Sequence, residues 1–243
     1  MRQSEADDVA GGYGAEKVGA EGDGAEEFGA EEFGAEEFGA EEFGAAGYRA
    51  PYVSDSAAAA RMRRAAVEMF ARDGFGGTST RQIAKHLNLS PAAMYPHYKS
   101  KEELLFAIAV DGHGQILAEL RSVDAAVSGD GPGSRLRAVV SAFAGWQARH
   151  HEHAKVVQYE MHALAPEHFR VVARMRRDTV AIIEGIVLEG IRSGDFTVDH
   201  PDDAVLAISS LCVDVCRWFP SRTHSDPDAL GTAYADLVLR MVT

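Results

Sequence analysis

The sequence has few cysteines and no long apolar run, and both absences exclude whole classes of protein. Its 243 residues include two cysteines, Cys212 and Cys216, too few for a disulfide framework and compatible with a reducing compartment. No apolar stretch approaches the roughly 18 residues that cross a bilayer. The first residues lack the basic and apolar regions of a signal peptide. We therefore expect a cytoplasmic protein.

Motifs of catalysis and of cofactor binding are also missing. The sequence contains no glycine-rich phosphate loop, no nucleophile motif and no carboxylate pair in a supporting context. Such motifs hold reactive groups or phosphate-binding amides at fixed spacings, so their absence argues against an enzyme. We expect neither catalysis nor a bound cofactor.

Positive charge is scarce overall but not locally. The formal net charge is −13, and residues 1–50 alone carry 14 acidic and 3 basic residues, a net of −11. Residues 56–105 instead contain eight Lys or Arg and four Asp or Glu. One short segment is therefore basic, which is compatible with DNA binding but does not by itself establish it.

A five-residue unit, GAEEF, is repeated four times between residues 24 and 44. A helix would turn each Phe about 140° past the last one, and a strand would send successive Phe residues to opposite faces. Neither structure buries the repeat, and its composition predicts a disordered acidic tail over residues 1–52. A second interpretation is an autoinhibitory strand whose carboxylates compete with DNA phosphates for the basic segment.

Three predicted helices follow the tail, each with a marked end. The first runs through SAAAARMRRAAVEMFARDGF and stops at Gly74. The second begins with a capping box, Ser79 to Gln82, and the third begins at Pro91 after an N-cap at Ser90. Two short helices joined by a turn of about four residues form a helix-turn-helix, whose second helix enters the major groove. Three ordinary packed helices would have the same spacing.

The rest of the chain contains only helical patterns separated by short turns. A capping box from Ser100 to Glu103 opens a long helix, and turn-forming residues interrupt the pattern near residues 127–134, 192–201 and 220–227. We predict an all-α fold with an N-terminal three-helix helix-turn-helix domain, residues 53–103. A C-terminal helical ligand-binding and dimerisation domain, residues 104–243, follows it.

The segment AAVEMFARDGFGGTSTRQIAKHLNLSPAAMYPHYKSKEELL, residues 65–105, closely resembles the DNA-binding domain of the TetR/AcrR family of transcriptional regulators. The resemblance implies that Thr80, Arg81, Tyr95, His97 and Lys101 position the protein on the DNA backbone. It further implies that the start of the third helix reads the bases, through Pro91, Ala92 and Ala93.

This segment departs from the family pattern at two positions. Asn88 stands where the family usually has glycine, and Asn tolerates the left-handed conformation of a tight turn. Pro96 lacks an N–H, so we expect the third helix to end or tighten there.

The last two helical patterns have more apolar surface than one copy of the chain needs. Regulators similar to TetR dimerise through such a pair of helices, and a dimer implies a palindromic DNA operator. The predicted dimer-interface residues are Ile208, Cys212, Val215, Tyr234, Leu237 and Met241.

Between the two predicted ends lies the stretch where such regulators bind an effector. It predicts a mainly apolar pocket with Trp146, Tyr159 and His162. The five histidines of residues 150–168 follow no metal-ligand spacing, so we predict no metal site. The C-terminal half is also similar to a branch of the family that responds to acyl-CoA. That similarity makes Arg174 and Arg177, together with Arg176, candidates to bind phosphates, although a solvated face explains them equally well.

The resemblance implies a homodimeric, ligand-responsive transcriptional regulator, most simply a repressor of genes beside a double-stranded DNA operator. A small, largely apolar effector would release it, with an acyl-CoA as one option. The alternative is a non-specific architectural DNA-binding protein. The near-neutral charge of the chain beyond the tail argues against that alternative.

Overall fold

Helices make up the part of the chain that the computed structural model describes, residues 56–243. Short 3-10 turns lie at Pro91–Ala93 and Met161–Ala163. The all-α prediction is confirmed, whereas the predicted acidic tail lies outside the described residues. The α-helices are α1 (Ala57–Gly77), α2 (Thr80–His86), α3 (Lys101–Ala126), α4 (Gly131–Arg149), α5 (His151–Tyr159), α6 (Pro166–Ser193), α7 (Pro201–Trp218) and α8 (Pro227–Val242).

The ends of α1 and α2 follow from local chemistry. Gly74 adopts φ 74°, which interrupts α1 near its C-terminus. The capping box of α2 is confirmed, since the Ser79 hydroxyl accepts from the Gln82 N–H and the Gln82 side chain accepts from the Ser79 N–H at 2.8 Å. Asn88 has φ 57°, the left-handed conformation predicted for the turn.

The third predicted helix is shorter than a recognition α-helix. Pro91–Ala93 form one 3-10 turn, after which the chain continues in turns up to His97. Pro96 donates no hydrogen bond, and the N–H groups of His97 and Tyr98 both donate to the Met94 carbonyl at 2.9 Å. The element therefore tightens around Pro96, as the sequence predicts.

Two apolar clusters form the interior of the described residues, and α3 belongs to both. The first joins α1, α2 and the start of α3 to α5 and the start of α6. The second joins the later part of α3 to α4, α6, α7 and α8. The first cluster crosses the predicted domain boundary at residue 103, so the helix-turn-helix segment shares its core with the helices that follow.

Helix α8 packs against α4 at very close range. A Cβ atom on Gly231 would overlap the carbonyl oxygen of Ser141, so only glycine fits this point of contact. The contact holds α8 in one rotational setting on α4. Within residues 56–243, no helix combines the length and apolar character needed to cross a membrane.

Candidate nucleic-acid interface and effector region

A cleft of about 430 Å³ lies where the end of α1, the start of α2, the 3-10 turn at Pro91–Ala93 and the start of α3 meet. We call it the helix-turn-helix cleft. Its walls combine backbone, hydroxyl and cationic groups. The lining residues are Gly76, Gly77, Thr78, Ser79, Thr80, Gln82, Pro91, Met94, Tyr95, Tyr98, Lys99, Ser100 and Lys101.

The sequence-predicted DNA contacts lie in or beside this cleft. Tyr95 is 63% exposed, and Arg81, Pro91 and Ala92 are also exposed. The remaining predicted positions, Thr80, Ala93, His97 and Lys101, are half-buried. The fold brings Thr80, Pro91, Tyr95 and Lys101 to the lining of the cleft, and contacts with DNA stay a prediction.

Lys101, a predicted phosphate contact, is used within the chain itself. Its Nζ donates to the carbonyl oxygens of Phe75 at 2.6 Å and Thr78 at 2.8 Å, and it lies 4.0 Å from the centre of the Phe75 ring. Phe75 belongs to the last turn of α1 and Thr78 is its C-cap, so the ammonium holds the end of α1 against α3. Its contact with a DNA phosphate stays a prediction.

Lys99 is the cation that the sequence analysis did not select. It is exposed and lines the cleft. Its backbone N–H donates to the Glu103 carboxylate at 2.6 Å, while Ser100 accepts from the Glu103 N–H at 2.9 Å. This arrangement starts α3 at Lys101 and leaves Lys99 before the helix, exposed at the cleft, a difference of two residues that spacing alone does not reveal.

Tyr98 is a buried residue in the lining of the cleft. Its ring is 2% exposed, and its hydroxyl accepts a hydrogen bond from Arg63 at 2.9 Å. Burial raises the pKa of Tyr98, against the opposing effect of Arg63. The buried phenol ties α1 to the turn before α3, which fixes the position of the exposed residues on either side.

Two carboxylates join the helix-turn-helix segment to α5 and α6. The Phe75 N–H donates to Glu160 at 3.1 Å, just after α5. Glu102, in the first turn of α3, accepts from the Ala165 N–H at 2.9 Å and from His168 Nδ1 at 2.7 Å. The His168 ring also stacks on Phe106 with 3.8 Å between ring centres. The start of α6 is therefore linked to the first turns of α3 by hydrogen bonds and a ring stack.

The predicted effector residues do not form one site. Trp146 is buried within the second apolar cluster. Tyr159 is 47% exposed, and His162, Arg174 and Arg177 are exposed as well. Arg174 and Arg177 lie on a face of α6 that points to solvent, whereas Tyr159 and His162 are exposed at the end of α5 and in the 3-10 turn after it. In the ligand-free chain these residues therefore do not enclose a pocket with Trp146.

Polar groups that point inward lie elsewhere, on α3, α4, α5 and α6. Arg176 is half-buried and donates from Nη1 to the Met161 sulfur at 3.1 Å. His153 donates to the Ile108 carbonyl at 2.8 Å. The Nε2 atom of His113 and the Oε1 atom of Gln147 are enclosed without a hydrogen-bond partner among the described residues. We call Arg176, His113, His153 and Gln147 the interior polar groups.

Burial dominates the electrostatics of these groups. It lowers the pKa of His113 to about 3, with the positive charges of Arg176 and His153 adding to the effect. Burial also lowers the pKa values of His153 and Arg176. His113 and Gln147 were missed by the sequence analysis, although each occupies an apolar stripe of its helix: His113 lies between Val110 and Ile116.

The histidines of residues 150–168 go to separate places. His150 is exposed beside Trp146, and His151 hydrogen-bonds to the Ala148 carbonyl at 3.0 Å. His153 points inward, whereas His168 pairs with Glu102. Within residues 56–243, no group of three His, Cys, Asp or Glu side chains is placed to hold a metal ion.

The predicted dimer face was wrong for half of its residues. Ile208, Cys212 and Val215 are fully buried in the chain's own second apolar cluster, because this stripe of α7 packs inward. Burial raises the pKa of the Cys212 thiol to about 12 and that of Cys216 to about 11, which keeps both protonated. Tyr234 is half-buried.

Large apolar side chains do remain exposed on α7 and α8. Leu206 is 63% exposed, and Leu211, Leu237 and Met241 are 39% to 49% exposed. Leu237 and Met241 were predicted as interface residues. Leu206 and Leu211 flank the buried stripe of α7 on its two sides, about 140° apart around the helix axis. A surface of this kind is costly in a protein that stays monomeric.

Comparisons with known proteins agree with this architecture. Residues 62–108 match the family "Bacterial regulatory proteins, tetR family", and residues 129–242 match "Tetracyclin repressor-like, C-terminal domain". A solved structure of a tetR-family regulatory protein from Rhodococcus RHA1 is 46% identical with a TM-score of 0.74, over 77% of this chain and 97% of that one.

Two curated relatives are more distant in sequence. The fatty acid metabolism regulator protein of Bacillus subtilis is 26% identical over 72% of this chain and 90% of its own length. The HTH-type transcriptional repressor KstR2 of Mycolicibacterium smegmatis is 27% identical over 73% of this chain and 87% of its own. With the helix-turn-helix cleft and the helical C-terminal half in place, the chain belongs to the TetR family of transcriptional regulators.

Proposed function

We propose that this chain is a ligand-responsive repressor that binds a palindromic DNA operator as a homodimer. A small, largely apolar effector would release it. The observation that carries the proposal is the helix-turn-helix cleft, around which Arg81, Tyr95 and Lys99 are exposed together. The printed name of the curated relative KstR2, a transcriptional repressor, supports repression as the direction of control.

The DNA contacts divide by chemistry. Lys99, Thr80 and Tyr95 offer an ammonium and two hydroxyl groups, which suit phosphate oxygens and set the position of the protein on the duplex. Pro91 and Ala92 present small apolar surfaces that suit thymine methyl groups. Arg81 is the exposed side chain with the bidentate donor geometry that reads guanine, so much of the base recognition falls to it.

Dimerisation would use the exposed apolar face of α7 and α8. We define this face by Leu206, Leu211, Leu237 and Met241. Burial of the four side chains against a second copy removes apolar surface from water, the dominant favourable term in association. Two-fold symmetry would then present two helix-turn-helix segments to half-sites about one helical turn apart.

Release would follow from the links between α6 and the helix-turn-helix segment. An effector bound among α3 to α6 shifts the start of α6, and Glu102 passes that shift from His168 to α3. Glu160 does the same for the end of α1 through Phe75. An effector that binds better to the shifted arrangement moves the population away from the spacing that fits the operator.

Selection of bound sequences from a random DNA library tests the operator. We expect a palindromic motif, and gel shifts with acyl-CoA esters then test release. The name of the Bacillus subtilis relative, a fatty acid metabolism regulator, supports that choice of effector class. A set of bound sequences with no shared motif would overturn the proposal in favour of a non-specific architectural DNA-binding protein.

The dimer is tested by Leu237→Glu, which places a charge in the proposed interface. We expect sedimentation to show a monomer and operator affinity to fall by at least about a hundredfold, since one half-site alone gives few contacts. Arg240→Glu is the matched control, because Arg240 is an exposed neighbour on α8 outside the apolar face. An unchanged dimer in the Leu237→Glu variant would contradict the proposed interface.

A further inference from the structure

Arg176 has no carboxylate partner among the described residues. Its hydrogen bond goes to the sulfur of Met161, a weak acceptor that carries no charge. Arg135, also half-buried, shows the usual arrangement: it pairs with Asp124 at 2.7 Å and with Glu189. A cation removed from water without a counter-charge is unfavourable, so the position of Arg176 calls for an explanation.

His113 provides a second, independent observation. Although part of the residue reaches the surface, its Nε2 atom is enclosed and has no hydrogen-bond partner within residues 56–243. The charged groups that act on its ring are Arg176 and His153, both of them cationic when protonated. The unpartnered Nε2 atom of His113 therefore lies within electrostatic range of the Arg176 guanidinium, which has no carboxylate partner.

We propose that Arg176 and His113 form the binding site for an anionic group of the effector, a carboxylate or a phosphate. The guanidinium supplies charge and paired donors, and the neutral imidazole donates from Nε2. This inference rests on the proposed effector-responsive function. It identifies the effector as an organic anion with an apolar body.

The same site connects the anion to the DNA-binding end. Arg176 contacts Met161, which directly follows Glu160 in the chain, and Glu160 holds the Phe75 N–H at the end of α1. A carboxylate or phosphate is a far stronger partner for Arg176 than a thioether. Bound anion therefore draws Arg176 away from Met161 and loosens the turn that positions Glu160.

The first test needs no ligand. If Arg176 is kept for an absent anion, Arg176→Met removes an unbalanced charge and raises the melting temperature of the ligand-free protein by at least about 2 °C. Arg177→Met is the matched control, since Arg177 is the exposed neighbour on α6, and it leaves the melting temperature unchanged. A clear fall for Arg176→Met would show that Arg176 stabilises the fold and would overturn the proposal.

The second test measures the binding of matched probes in the absence of DNA. Its outcome therefore does not depend on whether the operator prediction is correct. Straight-chain carboxylates of four, eight and twelve carbons, their neutral amides and their CoA thioesters are compared by calorimetry and thermal shift. We expect an anion to bind wild-type protein and the amides not to bind. Binding of a free acid identifies a carboxylate, whereas binding of the thioesters alone identifies a phosphate.

The variants then locate the anion. We expect Arg176→Met to lower the affinity for the anion at least about tenfold, or 1.4 kcal/mol. His113→Phe should lower this affinity less, and Arg177→Met should leave it unchanged. Amides that bind as tightly as the acids, or an absence of any anion-dependent shift in the wild-type protein, would overturn the proposal.

Discussion

Half-buried cations have different hydrogen-bond partners in the helix-turn-helix segment and in the effector region. At the DNA-binding end, Lys101 donates to two carbonyl oxygens and lies over the Phe75 ring. In the effector region, Arg176 donates to a single thioether. Both residues belong to apolar surroundings, and both are too deep to be ordinary surface charges.

Under the proposed anion site, the difference separates a cation that stabilises the fold from a cation that is kept for a ligand. Lys101 completes the hydrogen bonding of α1, so its partners are part of the fold itself. Arg176 lacks such partners, as expected of a group whose partner arrives later. Satisfied and unsatisfied polar groups thus distinguish structural from binding residues without reference to sequence motifs.

The first prediction tests the structural half of this contrast. Lys101→Met leaves the Thr78 carbonyl without its Lys101 donor and removes one of the two donors to the Phe75 carbonyl, and we expect it to lower the free energy of unfolding by about 1–3 kcal/mol. Lys99→Met serves as the control and changes it by less than about 0.5 kcal/mol. Urea denaturation measures both. Unchanged stability with evenly weakened DNA binding in Lys101→Met would instead favour its phosphate role.

The second prediction concerns the effector region and pH. The pKa of His113 is lowered to about 3 in the folded protein, so below pH 6.5 the unfolded state takes up a proton that the folded state does not. Stability from this group is therefore complete above about pH 6.5 and falls by about 1.4 kcal/mol per pH unit towards pH 3.

Denaturation curves between pH 7 and pH 4 measure that slope. His113→Phe should reduce it by one proton relative to the wild-type protein. An equal slope in wild type and His113→Phe would mean that His113 is not held neutral by burial.

A third prediction separates backbone contacts from base contacts within the cleft. We expect Lys99→Ala to weaken binding to all sequences about evenly and to lower the salt slope by about one for each half-site. Arg81→Ala should instead relax the sequence preference at one position of the operator. Gel shifts over a salt series with operator and scrambled DNA distinguish the two, and identical behaviour would contradict this division.

The smallest effect is expected from the acidic segment. Deletion of residues 1–50, with their net charge of −11, should leave operator affinity unchanged if the segment is an inert tail. Tighter operator binding that grows at low salt would indicate autoinhibition at the exposed cations.

Local signals in the sequence were sufficient for most of the fold. The capping box at Ser79, the left-handed turn at Asn88 and the tightening at Pro96 each depend on the chemistry of adjacent residues. The resemblance located the DNA-binding surface for the same reason, since its markers lie within residues 65–105. Residues that are close together in such a short segment also lie close together on the surface.

The remaining errors concern which side of a long helix faces inward. Arg174, Arg176 and Arg177 follow one another closely on α6, and only packing shows that Arg176 alone turns inward. On α7, the more apolar stripe with Ile208 and Val215 was assigned to a partner but packs against its own chain. Several helices have more than one apolar face, and the sequence of a single helix does not determine which of these faces packs into the core.

The glycine at the contact between α4 and α8 has a consequence for how related regulators coexist. Because Gly231 lets α8 sit directly against the Ser141 carbonyl, it sets the direction in which the exposed side chains of Leu237 and Met241 project. A side chain there would rotate or lift α8 and alter the shape offered to a second copy. A single substitution at Gly231 in a duplicated gene would then favour separate homodimers over mixed dimers, although residue 231 itself does not contact the second copy.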